Sequence, residues 1–144
     1  MKFVENFIKV NLNIDSSKFN SNMNHFILSS LQSKYEKKAF EHYGIIDTIS
    51  SVERLIDVTI TNSGSMLFLF EIKVNSYVPQ VFDILEMKIS KIISCGYFLE
   101  DLLIKCLVSE ISTKKQVGDT ISIVLTDIRF EKNAFHCLAK ESSK

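Results

Sequence analysis

The three histidines and three cysteines of this 144-residue chain are its most obvious candidates for nucleophilic or metal chemistry. Only His136 and Cys137 are neighbours, and adjacent residues of a strand point to opposite faces, so these two cannot easily pair. A dyad of His136 with Cys95 or Cys106 is conceivable. No two cysteines have the close spacing of a zinc ligand pair. We expect the cysteines to be small buried apolar residues in a reducing compartment.

The aspartates give no better candidate for catalysis. Each of Asp47, Asp57, Asp83 and Asp127 stands alone among apolar residues, which is typical of a carboxylate at a strand end or facing solvent. The chain has no phosphate-binding glycine loop, no dinucleotide-binding glycine motif and no H-E-x-x-H zinc motif. The sequence therefore predicts a non-catalytic protein without a metal or cofactor.

The balance of charge limits the choice of partners. Seventeen basic and seventeen acidic residues cancel, whereas a dedicated binder of duplex DNA is usually basic. No apolar run is as long as a membrane span, and residues 1–5 do not have the form of a signal peptide. We expect an intracellular protein: in the cytoplasm or virion if the gene is viral or plasmid-borne, in the nucleus if it is cellular and eukaryotic.

Residues 1–78 predict an α+β domain with one long helix on an antiparallel sheet. A strand over 3–14 precedes the possible helix N-caps Asp15, Ser16 and Ser17. An apolar stripe from Phe19 to Tyr35 then recurs at helical spacing. The remaining predictions are a strand at His42–Ile49, a turn at Ser50–Glu53, a strand at 55–60, a hairpin turn at Asn62–Gly64 and a strand at Met66–Val74, interrupted at Asn75–Ser76.

Residues 79–144 predict an all-β domain that begins at Pro79, the only proline of the chain. The apolar members of its first run are Phe82, Ile84, Met87, Ile89 and Ile92. The predicted strands are 81–93, 96–100, 102–109, 119–129 and 133–140. Five short strands after a long first one are typical of a small closed barrel of the OB type.

Short motifs follow one another in a fixed order through both predicted domains. In the first they are Phe7–Val10, Lys34–Glu36, Tyr43–Ile46 with Ile49 and Val52, and Met66–Ile72. In the second they are Tyr77–Pro79, Ile92–Phe98 around Gly96, and Val117–Asp119 followed by Ile121 and Ile123. In this order and spacing the chain resembles the stalk subunit of multisubunit RNA polymerases, the family of eukaryotic Rpb7 and its archaeal counterparts.

The resemblance implies a tip domain followed by an S1-type OB barrel. It also implies a non-catalytic subunit of a DNA-directed RNA polymerase that docks on the core subunits through loops of the tip. The docking residues would be Ser50, Ser51, Glu53, Asn62, Ser63 and Gly64. Family members usually pair with an Rpb4-like subunit, and the barrel reaches toward nascent single-stranded RNA.

The physics of OB barrels suggests which residues touch that RNA, because such barrels stack bases on aromatic rings and follow the backbone with positive charge. Strand alternation lets only one of Tyr97 and Phe98 face outward, and we expect Tyr97 outside because its hydroxyl is costly to bury. The accompanying cations would be Lys88, Lys91, Lys105, Lys114 and Lys115. Nearby carboxylates dilute their field, so the predicted binding is weak and sensitive to salt.

Two other functions stay open at this point. One is a free-standing S1-type RNA-binding protein, against which the neutral net charge argues. The other is a structural adaptor that dimerises through its sheet. Exposed apolar positions in the first 76 residues would favour the polymerase subunit over both.

Overall fold

The computed structural model describes residues 2–15, 17, 22–101, 103–109 and 114–142. This part of the chain is mostly β-structure, with two sheets and one α-helix. It divides into two compact units, one of residues Phe3–Lys38 and Ile46–Ser76, the other of Met1–Lys2, Ala39–Ile45 and Tyr77–Lys144. The domain boundary expected between residues 78 and 79 stays a prediction.

The first sheet contains four strands and is accompanied by the helix. The elements are β1 (Val4–Ile14), α1 (Met23–Tyr35), β2 (Lys38–Phe40), β3 (Gly44–Ile60) and β4 (Met66–Tyr77), and the strand order is β1-β4-β3-β2. Apolar residues alternate along β1 and β4, so that Val10 pairs with Phe70 on the buried face. In the helix, Leu31 and Tyr35 are buried, and the Tyr35 hydroxyl donates to the Asn11 carbonyl at 3.2 Å.

The helix begins later than its sequence pattern suggests. It starts at Met23, behind Asn22, whose side chain makes no capping hydrogen bond. The predicted cap at Asp15 instead accepts a bond from the backbone N–H of Ser17 at 3.1 Å, which closes a local turn. Ser16 and Phe19 lie outside the described residues. The structure therefore shows a helix of 13 residues, shorter than the apolar stripe from Phe19 to Tyr35 predicts.

The turn predicted at Ser50–Glu53 is wrong, because β3 runs without interruption through these residues. Ser51 and Glu53 lie on the same side of the strand, and the Ser51 hydroxyl donates to Glu53 at 2.5 Å. The polar side chains therefore mark a solvated strand face, where a turn was expected. Asn75 and Ser76 do not interrupt β4 either, since both pair with β1. The three-residue β2 was not predicted.

The hairpin turn predicted at Asn62–Gly64 is confirmed and joins β3 to β4. The backbone N–H of Thr61 donates to the Ser65 carbonyl at 2.9 Å. Gly64 has a φ of +87°, a left-handed conformation that glycine adopts without steric cost. Hydroxyls of Thr61 and Ser65 lie 2.8 Å apart and tie the two ends of the turn together.

The second sheet closes into a barrel of five strands. They are β5 (Ile84–Ile93), β6 (Gly96–Asp101), β7 (Ile104–Val108), β8 (Thr120–Glu131) and β9 (Ala134–Glu141), in the order β5-β6-β7-β9-β8. β7 and β9 run parallel, and the other described pairs are antiparallel. The five predicted strands are thus confirmed to within a few residues. Leu99, Ile104, Val108, Ile123 and Leu125 are fully buried in the interior.

The inward-facing residues of β5 differ from the predicted set. Leu85, Met87 and Ile89 point into the barrel, whereas Ile84 and Ile92 are about half exposed and Phe82 is 79% exposed. Strand alternation cannot place residues 84 and 87 on one face. The predicted apolar set therefore combines residues from both faces of β5.

A hydrogen-bonded loop leads into the barrel. The Tyr77 hydroxyl donates to a carboxylate oxygen of Asp83 at 2.6 Å, and the Gln80 N–H donates to the same oxygen at 3.0 Å. Burial, followed by the hydrogen bond to Asp83, raises the pKa of Tyr77 far above its usual range. The phenol therefore stays protonated in the folded barrel.

Because folding raises the pKa of Tyr77, the free energy of unfolding depends on pH between the pKa of the unfolded state and that of the folded state. An unfolded tyrosine ionises near pH 10, so the stability gained from protonated Tyr77 is complete below about pH 10 and is lost as pH rises toward the folded pKa. We expect the stability difference between the wild type and Tyr77→Phe to shrink from pH 8 to pH 11. Urea unfolding at both pH values measures it, and a difference that does not change with pH would contradict the assignment.

Candidate nucleic-acid interface on the barrel

A β-bulge in β8 decides which side chains of that strand face outward. Ile121, Ile123 and Leu125 point into the barrel. The pairing with β9 shifts between Leu125 and Asp127, so the strand carries one extra residue there. After the shift, Asp127 and Arg129 occupy the outer side, where unbroken alternation would have turned them into the core.

A second bulge, in β5, also turns a side chain to the outer side. Ile89 pairs with Leu99 inside the barrel, and the register then shifts before Lys91 pairs with Phe98. Alternation from Ile89 would place residue 91 inside, but the shift brings it to the outer side next to Phe98. The bulges in β5 and β8 therefore decide which side chains border this outer surface of the barrel on its two sides.

Apolar side chains cross the middle strands of this surface in one line. Phe98 of β6 pairs with Leu107 of β7, which pairs with Leu138 of β9. Leu138 is 49% exposed, and Phe98 and Leu107 are partly exposed. We call these three residues the apolar row. Lys91 ends the row at β5, and Asp127, the partner of Leu138, ends it at β8.

A line of charged and polar side chains runs beside the apolar row. Glu100 of β6 pairs with Lys105 of β7, Lys105 with His136 of β9, and His136 with Arg129 of β8. We call these four residues the charged row. Arg129 Nε lies 3.7 Å from a carboxylate oxygen of Asp127, and His136 Nε2 lies 3.2 Å from the Glu131 carbonyl oxygen.

The two rows, except Glu100, line a concave surface together with Asp127. Its cavity has a volume of about 320 Å³ and is bordered by Phe98, Lys105, Leu107, Asp127, Arg129, His136 and Leu138, with Cys106 and Cys137 beneath. We call the seven side chains above the cysteines the outer face. An exposed ring and aliphatic groups next to cations are the combination that binds single-stranded nucleic acid.

The two cysteines beneath the outer face are placed for packing. Cys106 and Cys137 pair across β7 and β9 and are buried, and Cys106 Sγ lies 3.7 Å from Met87 Sδ. The hydrogen bond with Cys137, together with burial, raises the pKa of the Cys106 thiol. His136 lies on the opposite side of β9 from Cys137, and Cys95 is exposed. Among the described residues, no cysteine faces a histidine as a dyad.

The lysines predicted to bind RNA are scattered. Lys91 and Lys105 lie on the surface just described. Lys88 lines a separate cavity with the acidic residues Glu86, Glu100 and Asp101, whose charges oppose phosphate. Lys114 and Lys115 lie in the segment before β8, at 114–119.

The expected orientation of Tyr97 and Phe98 is wrong. Tyr97 pairs with fully buried Val108 and therefore shares the interior side of the sheet, whereas Phe98 pairs with Leu107 on the outer side. The Tyr97 hydroxyl is not left unpaired, because it accepts a bond from the Lys115 N–H at 3.3 Å. The cost of burying the hydroxyl is thus avoided at the end of the barrel, and the ring available for stacking is Phe98.

Arg129, His136 and Leu138 were missed as members of this surface. A signal for Arg129 exists in the sequence: the apolar positions 121, 123 and 125 are followed by 128 and 130, a shift of one residue that indicates a bulge. His136 and Leu138 become neighbours of Lys105 and Leu107 only through the parallel pairing of β7 with β9. No local pattern encodes that register.

The residues predicted to dock on a polymerase do not form one surface. Ser50, Ser51 and Glu53 lie within β3, and Asn62–Gly64 form the hairpin at its end. Glu53 and Asn62 are nine positions apart, which is about 30 Å along an extended chain. Ser50 and Ser51 instead border a groove of about 600 Å³ with Ile27, Leu28 and Leu55. Whether either set contacts a partner stays a prediction.

Three exposed apolar residues lie along β3 between this groove and the hairpin. Along β3, Leu55 is 49% exposed, Val58 is 37% exposed and Ile60 is 72% exposed. The salt bridge of Arg54 with Glu71, at 3.2 Å, lies beside the groove. This part of β3 therefore exposes more apolar surface than the small polar residues on which the docking prediction rested.

Comparison with known proteins does not assign the chain to a family. No protein-family model matches the chain, and no curated protein has significant sequence similarity to it. Within the described ranges, no helix is long and apolar enough to cross a membrane. The same part of the chain holds no group of three or more histidine, cysteine, aspartate or glutamate side chains that could bind a metal ion.

Proposed function

We propose that this protein is a non-catalytic subunit of a multisubunit RNA polymerase whose barrel contacts single-stranded RNA. The observation that carries the RNA contact is the apolar row of Phe98, Leu107 and Leu138 beside the charged row. The polymerase assignment rests on the resemblance to the stalk subunit family and on the order of the elements along the chain.

The topology of the barrel supports the RNA contact. Numbered within the barrel, its strands follow the order first, second, third, fifth, fourth, with the third and fifth parallel. This is the arrangement of the OB fold, whose second and third strands carry the ligand-binding surface. Phe98 lies on the second strand, and Lys105 and Leu107 lie on the third. The apolar row therefore falls where OB barrels bind their ligands.

The apolar row and the charged row contact different parts of the RNA. Bases stack on Phe98 and on the aliphatic groups beside it, while Lys105 and Arg129 attract the phosphates. Because neighbouring strands lie about 4.8 Å apart, the surface from β6 to β8 is about 14 Å wide and accepts only a few nucleotides. Glu100 and Asp127 weaken the positive field. Binding is therefore weak and becomes useful when the barrel is held near the transcript.

The first unit supports the polymerase assignment. Its element order, a strand, a helix and then further strands, precedes the barrel as the tip precedes the S1 domain in the stalk subunit family. Leu55, Val58 and Ile60 expose apolar surface near the hairpin, which is the feature expected to favour a docking subunit over a free-standing RNA-binding protein or an adaptor. The core subunits of the polymerase are the proposed partners, with an Rpb4-like subunit as a second one.

The dependence of RNA binding on salt tests the contact. Each phosphate neutralised on a single strand contributes about 0.7 to the slope of log affinity against log salt. Replacing both Lys105 and Arg129 by alanine should lower that slope by about 1.4. Fluorescence anisotropy with a short unstructured RNA measures the slope over a salt series.

A double variant with the same change of charge provides the matched control. Lys88→Ala with Lys114→Ala removes two lysines that do not line the cavity of the outer face, and its slope should stay close to that of the wild type. Equal slopes for the two double variants would show that the outer face is not the RNA-binding surface.

A further inference from the structure

Asp127 has a position that general affinity for RNA does not explain. It ends the apolar row beside Leu138, and its side chain is 51% exposed. The bulge in β8 places it there, since uninterrupted alternation from Leu125 would turn residue 127 inward. A carboxylate repels phosphate. Attraction of the RNA backbone therefore does not explain why the bulge places Asp127 on this surface.

Bases differ in how well they match a carboxylate. An ionised carboxylate has two acceptor oxygens and no donor. Guanine presents two adjacent donors, N1–H and the N2 amino group, which the two oxygens can accept together. Adenine and cytosine present one amino group beside an acceptor nitrogen, and uracil presents one N–H between two carbonyls. Charge-assisted bidentate pairs are stronger than single hydrogen bonds, so guanine is the best match.

We infer that Asp127 makes the outer face select guanine among unpaired bases, an inference that rests on the RNA contact proposed above. A base lying flat on Leu107 and Leu138 has its edge toward Asp127, the side chain that ends the row. Arg129 Nε, 3.7 Å from Asp127, orients the carboxylate and leaves acceptor capacity for the base. The same arginine is placed to meet the adjacent phosphate.

Seven-nucleotide RNAs that differ only at the central position test this selection. The set has guanosine, inosine or uridine within an oligouridine, and anisotropy with the full-length protein at low salt gives the affinities. The wild type should bind the guanosine RNA about tenfold more tightly than the uridine RNA. Inosine lacks the N2 amino group and should lose most of that advantage.

Two variants with the same change of charge separate base selection from electrostatics. Asp127→Asn should remove the preference for guanosine, because the guanosine RNA loses its paired hydrogen bonds while the uridine RNA gains affinity from the loss of a repelling charge. Asp101→Asn, at the exposed end of β6 and away from the apolar row, should keep the preference. The ratio of the two affinities is the quantity to compare, and matching thermal unfolding curves establish that each variant is folded.

The possible results lead to distinct conclusions. Equal binding of guanosine and uridine RNAs by the wild type overturns the selection by Asp127 but leaves the RNA contact in place. A preference for guanosine that survives in Asp127→Asn assigns the selection to another residue and also overturns the inference. Failure of the wild type to bind any of the three RNAs, even at the lowest salt, overturns the proposed RNA contact itself.

Discussion

Replacement of Gly96 by alanine is expected to lower the free energy of unfolding by about 3 kcal/mol or to prevent folding. Gly96 begins β6 with a φ of +147°, a conformation that other residues rarely adopt. An added Cβ would lie 2.9 Å from the Ser109 Cα and closer still to the carbonyl oxygen of Val108. These are backbone atoms of the neighbouring strand end, so they cannot rotate away.

Gly118 gives the matched control for this prediction. It also has a left-handed φ, +96°, but an added Cβ would have nothing within 4 Å. Gly118→Ala should therefore cost only the conformational strain, about 1 kcal/mol. Denaturant unfolding of both variants measures the difference. Equal losses of stability would mean that the approach of Gly96 to Val108 is not as close as described.

The second large effect is expected in assembly. Ile60, the last residue of β3 before the hairpin, is 72% exposed in the proposed docking surface. Ile60→Asp should abolish incorporation into the polymerase, because a carboxylate buried in a subunit interface without a partner is costly. The change is at the surface, so the isolated variant should remain folded and keep its affinity for RNA.

Phe82→Asp serves as its control. Phe82 is 79% exposed in the second unit, so this variant loses an exposed apolar side chain of similar size. Aspartate also tolerates the positive φ of 77° at this position better than phenylalanine does. Co-sedimentation of each variant with the polymerase measures incorporation. Normal incorporation of Ile60→Asp would remove this end of β3 from the docking surface.

The strands could be predicted because their apolar residues alternate wherever one side faces a core. This pattern located β1 and all five strands of the barrel, and the turn residues Asn62–Gly64 located the hairpin. It failed at Ser50–Glu53, since a solvated strand and a turn are both rich in small polar residues. The apolar alternation stops at residues 50–54, so the strands predicted at His42–Ile49 and 55–60 were not joined into the single strand of 17 residues that the structure shows.

The binding surface was harder to predict than the fold. Lys91 and Lys105 were selected for their charge, and both lie near the apolar row. The choice between Tyr97 and Phe98 failed because the cost of burying a hydroxyl was judged without its partner, the backbone N–H of Lys115. The rest of the surface depends on the pairing of β7 with β9, which joins residues distant in sequence.

Crosslinking of nascent transcripts in the native source tests the central claim most directly. Transcripts labelled with 4-thiouridine are irradiated, the tagged protein is purified, and crosslinked peptides and co-purifying proteins are identified by mass spectrometry. The account predicts the largest polymerase subunits in the sample, with crosslinks in peptides that contain Phe98, Leu107 or Leu138. Absence of polymerase subunits, or crosslinks confined to the first sheet, would contradict it.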